Sequence, residues 1–397
     1  MKLLLYTHSF APSLGGAERY VMLLAEGLAK LPSSDAPGPV AIKVATPAPA
    51  RDFDDSQLAF EVVRQPGVFA LSKLIGEADV VHLSGACLAP LFLAWILRKP
   101  IVITHHGYTA SCPNGLLFYE PTRSVCPGHF MAGRYRECIK CDRQKEGWFR
   151  SLSMLFWTFP RRWLCQTASV NIPVTQHVLG RLGLPRSKVI YLGIPDAAGD
   201  PRQNADRRCF AYVGRLVGLK GLPVLVQAAR ILKEQGYVFR VKFIGDGPER
   251  PALESLVRDL GLQEQLAFTG FASGQRFESE MESVSTVIMP SIWEETAGFA
   301  AIEQMMRGRL VIASDIGGLG EVVGEAGLKC RTDDAASLAD CMKQVLDRPE
   351  IVGQLGSIAR ARAQSLFRQT RMILSHVRVY QELVNSDRTP ASQSDPS

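Results

Sequence analysis

The chain has no long hydrophobic run. Its longest apolar stretch, Ala86 to Leu97, is roughly half of what a membrane-spanning helix needs, which argues against a spanning helix there. The opening Met1-Lys2-Leu3-Leu4-Leu5 reaches polar residues too soon for a secretory signal, so the expected location is cytoplasmic. Neither half has Gly-x-Gly-x-x-Gly after its first strand-like run, which disfavours a nicotinamide dehydrogenase. A large excess of one charge is also missing. With 45 Lys and Arg against 39 Asp and Glu, the net charge of +6 over 397 residues does not argue for a nucleic-acid partner. Nine cysteines in a reducing compartment make disulfides a poor default, and metal ligation or plain burial the better one.

What is present is apolar content of 46%, enough for two separate cores. Strand-like runs at Lys2–Thr7, Val40–Ala45, Asp79–Leu83, Pro100–Thr104, Val170–Thr175 and Lys188–Leu192 alternate with helical spacing, as in Val21, Leu24, Ala25 and Leu28. The polar, turn-rich segment 196–208 reads as a linker. The pattern then restarts, with strands at Cys209–Gly214, Phe239–Ile244, Leu266–Gly270, Val284–Pro290 and Leu310–Ser314 and a helix at Leu222–Gln235. The expected fold is α/β: two Rossmann-like, doubly wound domains, 1–195 and 209–384, facing a central cleft, with a disordered tail over 385–397.

Basic residues concentrate in the first half. From Arg98 to Arg162 eleven Lys and Arg face four Asp and Glu, a local excess of 11 − 4 = +7. Aromatic residues interleave with them from Trp148 to Trp163, which suits a peripheral surface resting on anionic lipid at the inner face of the membrane. The competing reading is a core helix with solvated ends.

The strand ends of the second half carry the chemistry. Gly214-Arg215 and Lys220-Gly221 place two cations around a flexible turn beside a helix start, which suits a diphosphate. Gly245-Asp246-Gly247-Pro248 is a tight turn that keeps side chains away from a ligand. In Glu294-Glu295-Thr296-Ala297-Gly298-Phe299 the helix should begin near Gly298, leaving the amides of these small residues open to an anion. Glu295 and Glu303 then become acceptors for sugar and ribose hydroxyls, with Glu294 at the surface or capping the helix. Simple N-terminal capping by either Glu294 or Glu295 is the competing reading.

Glu295-x7-Glu303, the Gly214–Gly221 loop, the Gly245–Pro248 turn and Ser314-Asp315-Ile316-Gly317-Gly318-Leu319-Gly320-Glu321 together resemble the family-4 retaining glycosyltransferases of the GT-B fold. Pro12-Ser13-Leu14-Gly15-Gly16-Ala17-Glu18 and Val102-Ile103-Thr104-His105-His106-Gly107 are similar to the same family. The resemblance implies a nucleotide-sugar donor, UDP- or GDP-linked, and a glycan or lipid-linked acceptor in cell-surface polysaccharide or glycolipid synthesis. It implies Glu295 at the donor sugar, Glu303 at the ribose, and Arg215 and Lys220 at the departing diphosphate. It also implies His106 near the sugar, Gly15 and Gly16 approaching the phosphate, and no catalytic metal. Family members often carry an acid where Gly107 stands, and His105 is a second candidate for the histidine's place. A nucleotide-sugar epimerase and a non-catalytic glycan or nucleotide binder are the alternatives.

Within the polar insert 107–146 stand Cys112, Cys126, Cys138 and Cys141. The Cys138-Ile139-Lys140-Cys141 spacing with two cysteines upstream reads as a structural zinc site. Metal-free thiols, an iron–sulfur cluster and disulfides compete with that reading. The resemblance places similar inserts in a subset of the family.

Overall fold

The computed structural model describes residues 1–12, 15–32, 40–197 and 205–388. It divides into two compact units: Met1–Pro121, Cys126–Pro195 and Arg368 onward form the first, and Thr122–Val125 with Asp196–Phe367 the second.

The first unit holds a six-stranded sheet of β1 (Lys2–Thr7), β2 (Ala41–Thr46), β3 (Glu61–Arg64), β4 (Val80–Ser84), β5 (Ile101–His105) and β8 (Val170–Pro173). The spatial order is β3-β2-β1-β4-β5-β8, and every pairing is parallel. Two further strands of two residues each, β6 (Phe118–Tyr119) and β7 (Ser124–Val125), lie in the cysteine-bearing insert. The central strands are apolar without alternation because both faces are covered, as in Leu3, Leu4 and Leu5 of β1, each 3% exposed or less. The helices α1 (Gly16–Ala29), α2 (Val68–Glu77), α3 (Leu88–Ile96) and α6 (Gln176–Leu182) pack on the sheet, while α5 (Trp148–Thr167) packs against α3 and α4 (Tyr135–Glu146) against α5.

The second unit repeats the plan with β9 (Asp206–Val213), β10 (Arg240–Ile244), β11 (Leu266–Gly270), β12 (Val284–Met289), β13 (Leu310–Ser314) and β14 (Leu328–Cys330), ordered β11-β10-β9-β12-β13-β14. Its helices are α7 (Leu222–Glu234), α8 (Arg250–Asp259), α9 (Gly274–Glu282), α10 (Phe299–Met306), α11 (Gly317–Val323), α12 (Ala335–Asp347) and α13 (Glu350–Leu366). Phe210, Tyr212, Leu225, Phe243 and Ile312 form the heart of its core. In both sheets the order reverses beside the first strand, so the loops after β1 and β4, and after β9 and β12, flank a ligand-binding crevice in such sheets.

Three expectations need correction. Lys188–Leu192 is not a strand: it runs beside β8, with Lys188 N–H donating to Asn171 and Ile190 N–H to Pro173, but only an isolated bridge at Ser187 forms. The last helix, α14 (Gln369–Arg388), belongs to the first unit, although the sequence reading ends the second domain at 384. Amphipathic spacing shows that a helix needs a partner and is silent on which sheet supplies it. The expected tail overlaps this helix through Arg388; 389–397, and linker residues 198–204, lie outside the described residues.

A buried polar chain fastens α14. The Met372 carbonyl can only accept, so His376 carries its proton on Nδ1 (2.8 Å) and its Nε2 accepts from the Tyr20 hydroxyl (2.7 Å). That fixes the direction of the rest: Thr104 donates to Tyr20 (2.9 Å), His82 Nε2 donates to Thr104 (2.8 Å), and Tyr380 donates to His82 Nδ1 (2.6 Å). All five side chains are 2% exposed or less.

Candidate active site

The loop after β9 and the loop after β12 are built against each other through glycine. Gly221 has a left-handed backbone (φ 63°), and a Cβ there would stand 1.9 Å from the Pro290 carbonyl oxygen. Ile292 N–H donates to the Leu219 carbonyl at 3.0 Å, closing the contact. Gly318 packs as tightly: its N–H donates to the Glu295 carbonyl (2.6 Å), and an added Cβ would meet the Thr296 oxygen at 2.0 Å. Backbone rather than side chains therefore sets the spacing at these strand ends.

Into this frame project Lys220 and Glu295. Lys220 Nζ lies 2.8 Å from Glu295 Oε1, with the side chains 20% and 6% exposed. The Ser291 hydroxyl donates to the same carboxylate oxygen. Arg215 is exposed, and its guanidinium makes no ion pair among the described residues, while its carbonyl accepts from the buried Tyr212 hydroxyl (2.8 Å). Burial, and then the Glu295 charge, raise the Tyr212 pKa, so this phenol stays protonated and holds the loop. Gly214 and Gly245 are in contact: a Cβ on Gly245 would stand 1.9 Å from the Gly214 oxygen.

The α10 helix begins at Phe299, one residue past the expected Gly298, which is its N-cap with φ 76° and no side-chain cap. Helix geometry leaves the first-turn amides without intrahelical acceptors. Glu303 lies in the second turn and is half-buried; Thr296 and Phe299 are half-buried, Ala297 and Gly298 buried. Glu294 differs from expectation. It is 9% exposed, and the N-cap position is held by Gly298. The backbone of Glu294 passes within 2.7 Å of the Cβ position of Gly317, so α11 rather than solvent covers it.

In the first unit His106 follows β5. Burial, then His105 and His376, push its pKa down to about 3, so its imidazole is neutral near pH 7 and acts as a hydrogen-bonding group rather than a cation. Its ring meets Tyr20 edge-on at 4.5 Å. His105 is buried against Asn171 (Nε2 to Oδ1, 2.9 Å), which makes it a structural residue of the sheet. Gly15 is the extended N-cap of α1, and Gly16 is its first residue.

The four insert cysteines all line one small cavity, with Asn114 and Asp142. Cys112 donates to Asn114 (3.0 Å) and Cys141 to the Phe118 carbonyl (3.4 Å), as protonated thiols do. Among the described residues no group of three or more His, Cys, Asp or Glu is arranged so as to hold a metal ion, and the expected zinc ligand set is not formed.

Sequence reasoning missed the Lys220–Glu295 pairing, the Ser291 contact and the Tyr20–His82–His376 chain. The residues of the first two were legible as loop residues, but Lys220 and Glu295, 75 positions apart, carry no shared local signal, and Ser291, four residues before Glu295, meets it only through the shape of their loop.

Two Rossmann-like units with parallel sheets of this order define a GT-B fold. Residues 195–362 match the family of glycosyl transferases group 1. A 2-deoxystreptamine glucosyltransferase from Streptomyces kanamyceticus is 36% identical over 140 residues, 35% of this chain and 36% of that protein. A glycogen synthase from Mycobacterium tuberculosis is 29% identical over 231 residues, 56% of this chain and 55% of that protein. The chain spans 36 to 53% of the length of the first curated relatives that it matches. Anabaena Alr3699/HepE, solved with UDP, shares the fold at a TM-score of 0.70 and 20% identity, covering 96% of this chain and 100% of that one. Sucrose-phosphate synthase from Thermosynechococcus elongatus does so at a TM-score of 0.74 and 20% identity, covering 97% and 99%.

Proposed function

We propose that the protein is a glycosyltransferase that moves a sugar from a nucleoside-diphosphate donor to a glycan or lipid-linked acceptor, with retention at the anomeric carbon. The observation that carries this reading is the Lys220–Glu295 pair at the ends of β9 and β12, with the exposed Arg215 in the same loop as Lys220. A leaving nucleoside diphosphate gains negative charge as the sugar departs, and two preplaced cations stabilise it most where that charge develops. Glu295, held by Ser291 and Lys220, offers the sugar a fixed acceptor for hydroxyl protons. Glu303 takes the ribose, and the positive end of the α10 helix dipole favours phosphate oxygens beside Gly298. In the first unit His106, Gly15 and Gly16 stand at the carboxyl ends of their own sheet, where ligands of such sheets bind. The residues from 195 to 362 that match glycosyl transferases group 1 include every second-unit residue named here.

UDP is the first donor nucleotide to test, since Alr3699/HepE was solved with UDP and with UDP-glucose. A thermal-shift panel of UDP, GDP and their sugar conjugates tests the site. A ligand at about 100 times its dissociation constant adds roughly 2.7 kcal/mol of stability. Absence of any shift at millimolar nucleotide defeats the reading. Mass analysis of the turnover mixture separates transfer, which frees the nucleotide, from epimerisation, which leaves the mass of the nucleotide sugar unchanged.

A further inference from the structure

The helix α5 wears its apolar side outward. At 100° per residue Phe149, Leu152, Phe156, Trp157 and Trp163 fall on one side, and Ser151, Leu155 and Thr158 on the other. The second set is buried, whereas Phe149 is 86% exposed, Phe156 62% and Trp157 49%. Packing of α3 against α5 extends the patch: Trp95 meets Trp163 edge-on at 5.1 Å and stacks with Phe92 at 6.0 Å. Single exposed apolar residues are ordinary, but a contiguous aromatic face on two helices marks an interaction surface.

The charges around it select the partner. From Met131 to Thr167 the exposed charged side chains are six cations: Arg134, Arg136, Lys140, Arg143, Lys145 and Arg150. The carboxylates of that segment are withdrawn, Asp142 buried and Glu137 and Glu146 half-buried beside Lys140 and Arg150. Arg98 adds a further exposed cation at the end of α3. Arg161 and Arg162, counted as surface charge in the sequence, instead turn inward to the carbonyls of Thr109, Ala110 and Leu182. No helix among the described residues is long and apolar enough to cross a membrane. Tryptophan and phenylalanine beside lysine and arginine match the acyl boundary and anionic headgroups of a lipid surface.

We propose that the α3/α5 face of the first unit docks the protein on an anionic phospholipid bilayer. This inference stands apart from the donor site, which lies in the second unit. Four of the five tryptophans, Trp95, Trp148, Trp157 and Trp163, lie on these two helices, so the intrinsic fluorescence reports on the face directly.

The test is co-sedimentation of the full chain with vesicles of phosphatidylcholine alone and of equal parts phosphatidylcholine and phosphatidylglycerol. Binding to the anionic vesicles on the order of tenfold tighter, with a blue-shifted tryptophan emission, is expected. The Phe149→Ser/Phe156→Ser variant should bind at least about tenfold more weakly while keeping its melting temperature and its response to UDP. Should it fail to fold, the Arg143→Glu/Arg150→Glu variant takes its place, with the same loss expected for anionic vesicles. Equal binding to both vesicle types, or anionic binding unchanged in the folded variants, overturns the proposal. So does absence of vesicle binding together with a dimer that the Phe149→Ser/Phe156→Ser variant abolishes, which would make the face a contact between copies.

Discussion

Lys220 Nζ and Glu295 Oε1 form a 2.8 Å ion pair at the ends of neighbouring strands, with the acid almost wholly buried. Two groups proposed to meet different parts of the donor thus hold each other. The lysine fixes the carboxylate in place beside Ser291, and the carboxylate in turn fixes the lysine at the end of its loop.

Removing either partner is therefore unequal. Lys220→Ala strands a buried carboxylate and should cost about 2–3 kcal/mol, below the full cost of breaking a buried pair because Lys220 is partly solvated. Glu295→Gln keeps the Ser291 hydrogen bond and should cost about 1 kcal/mol. Urea unfolding checks both. In the thermal-shift assay the Lys220 variant should lose the nucleotide response, while the Glu295 variant should keep the response to the bare diphosphate and lose turnover.

Arg215 behaves differently because it is exposed and makes no ion pair among the described residues. Arg215→Ala should leave stability within about 0.5 kcal/mol of wild type. It should weaken nucleoside diphosphate binding by roughly 1.5–3 kcal/mol, the worth of a charge-assisted contact. Calorimetric titration with UDP checks this, and unchanged affinity would remove Arg215 from the site.

Gly318→Ala places a methyl group 2.0 Å from the Thr296 oxygen, and Gly221→Ala does the same at 1.9 Å from Pro290. Both contacts are backbone, so neither can be relieved by a rotamer change. Each substitution should destabilise the second unit by about 3 kcal/mol or more and abolish donor binding. Gly353→Ala, on α13 with open space at its Cβ position, is the control and should be neutral or slightly stabilising.

The thiol-lined cavity makes its own prediction. Cys138 is buried beside Phe130 and Leu155, and burial pushes its pKa up to about 12. Cys138→Ser replaces a weakly polar sulfur with a hydroxyl in apolar surroundings and should cost about 1–3 kcal/mol, read from the unfolding midpoint. Release of stoichiometric zinc from the wild type on thiol modification would assign that loss to a metal instead.

The alternation of strands and helices was legible because each strand is an apolar run and each helix carries its own period; Leu266–Gly270 and Leu310–Ser314 were read to the residue. The placement of Arg215, Lys220 and Glu295 in loops after strands was legible because each follows an apolar run that ends in glycine or proline. Pairing was not legible. Nothing local marks Lys220 as the partner of Glu295, or tells that α14 returns to β4 and α1. The outward face of α5 was half legible: its aromatics showed, but the inward turn of Arg161 and Arg162 depends on carbonyls that other segments supply.

The chain from Tyr380 through His82, Thr104 and Tyr20 to His376 gives the first unit a sensitivity to acid. Each histidine in it needs a ring nitrogen that accepts, so both must stay neutral. Burial, the leading cause in each case, lowers their pKa below the ordinary value near 6.5: to about 4 for His376, and well below the ordinary value for His82. The nearby His105 is lowered to about 4 and His106 to about 3. Below pH 6.5 the unfolded chain takes up protons that the folded chain refuses, so the unfolded state gains and stability falls with pH. The loss should start near pH 6.5 and run down to about pH 4, approaching roughly 1.4 kcal/mol per pH unit for each histidine so shifted. His376→Gln should flatten that slope by about one proton's worth while lowering stability at pH 8, because the Tyr20 contact is no longer held in the same place. Urea unfolding from pH 8 to pH 4 reads both effects, and a wild-type profile flat over that range would show that these rings are solvated rather than locked.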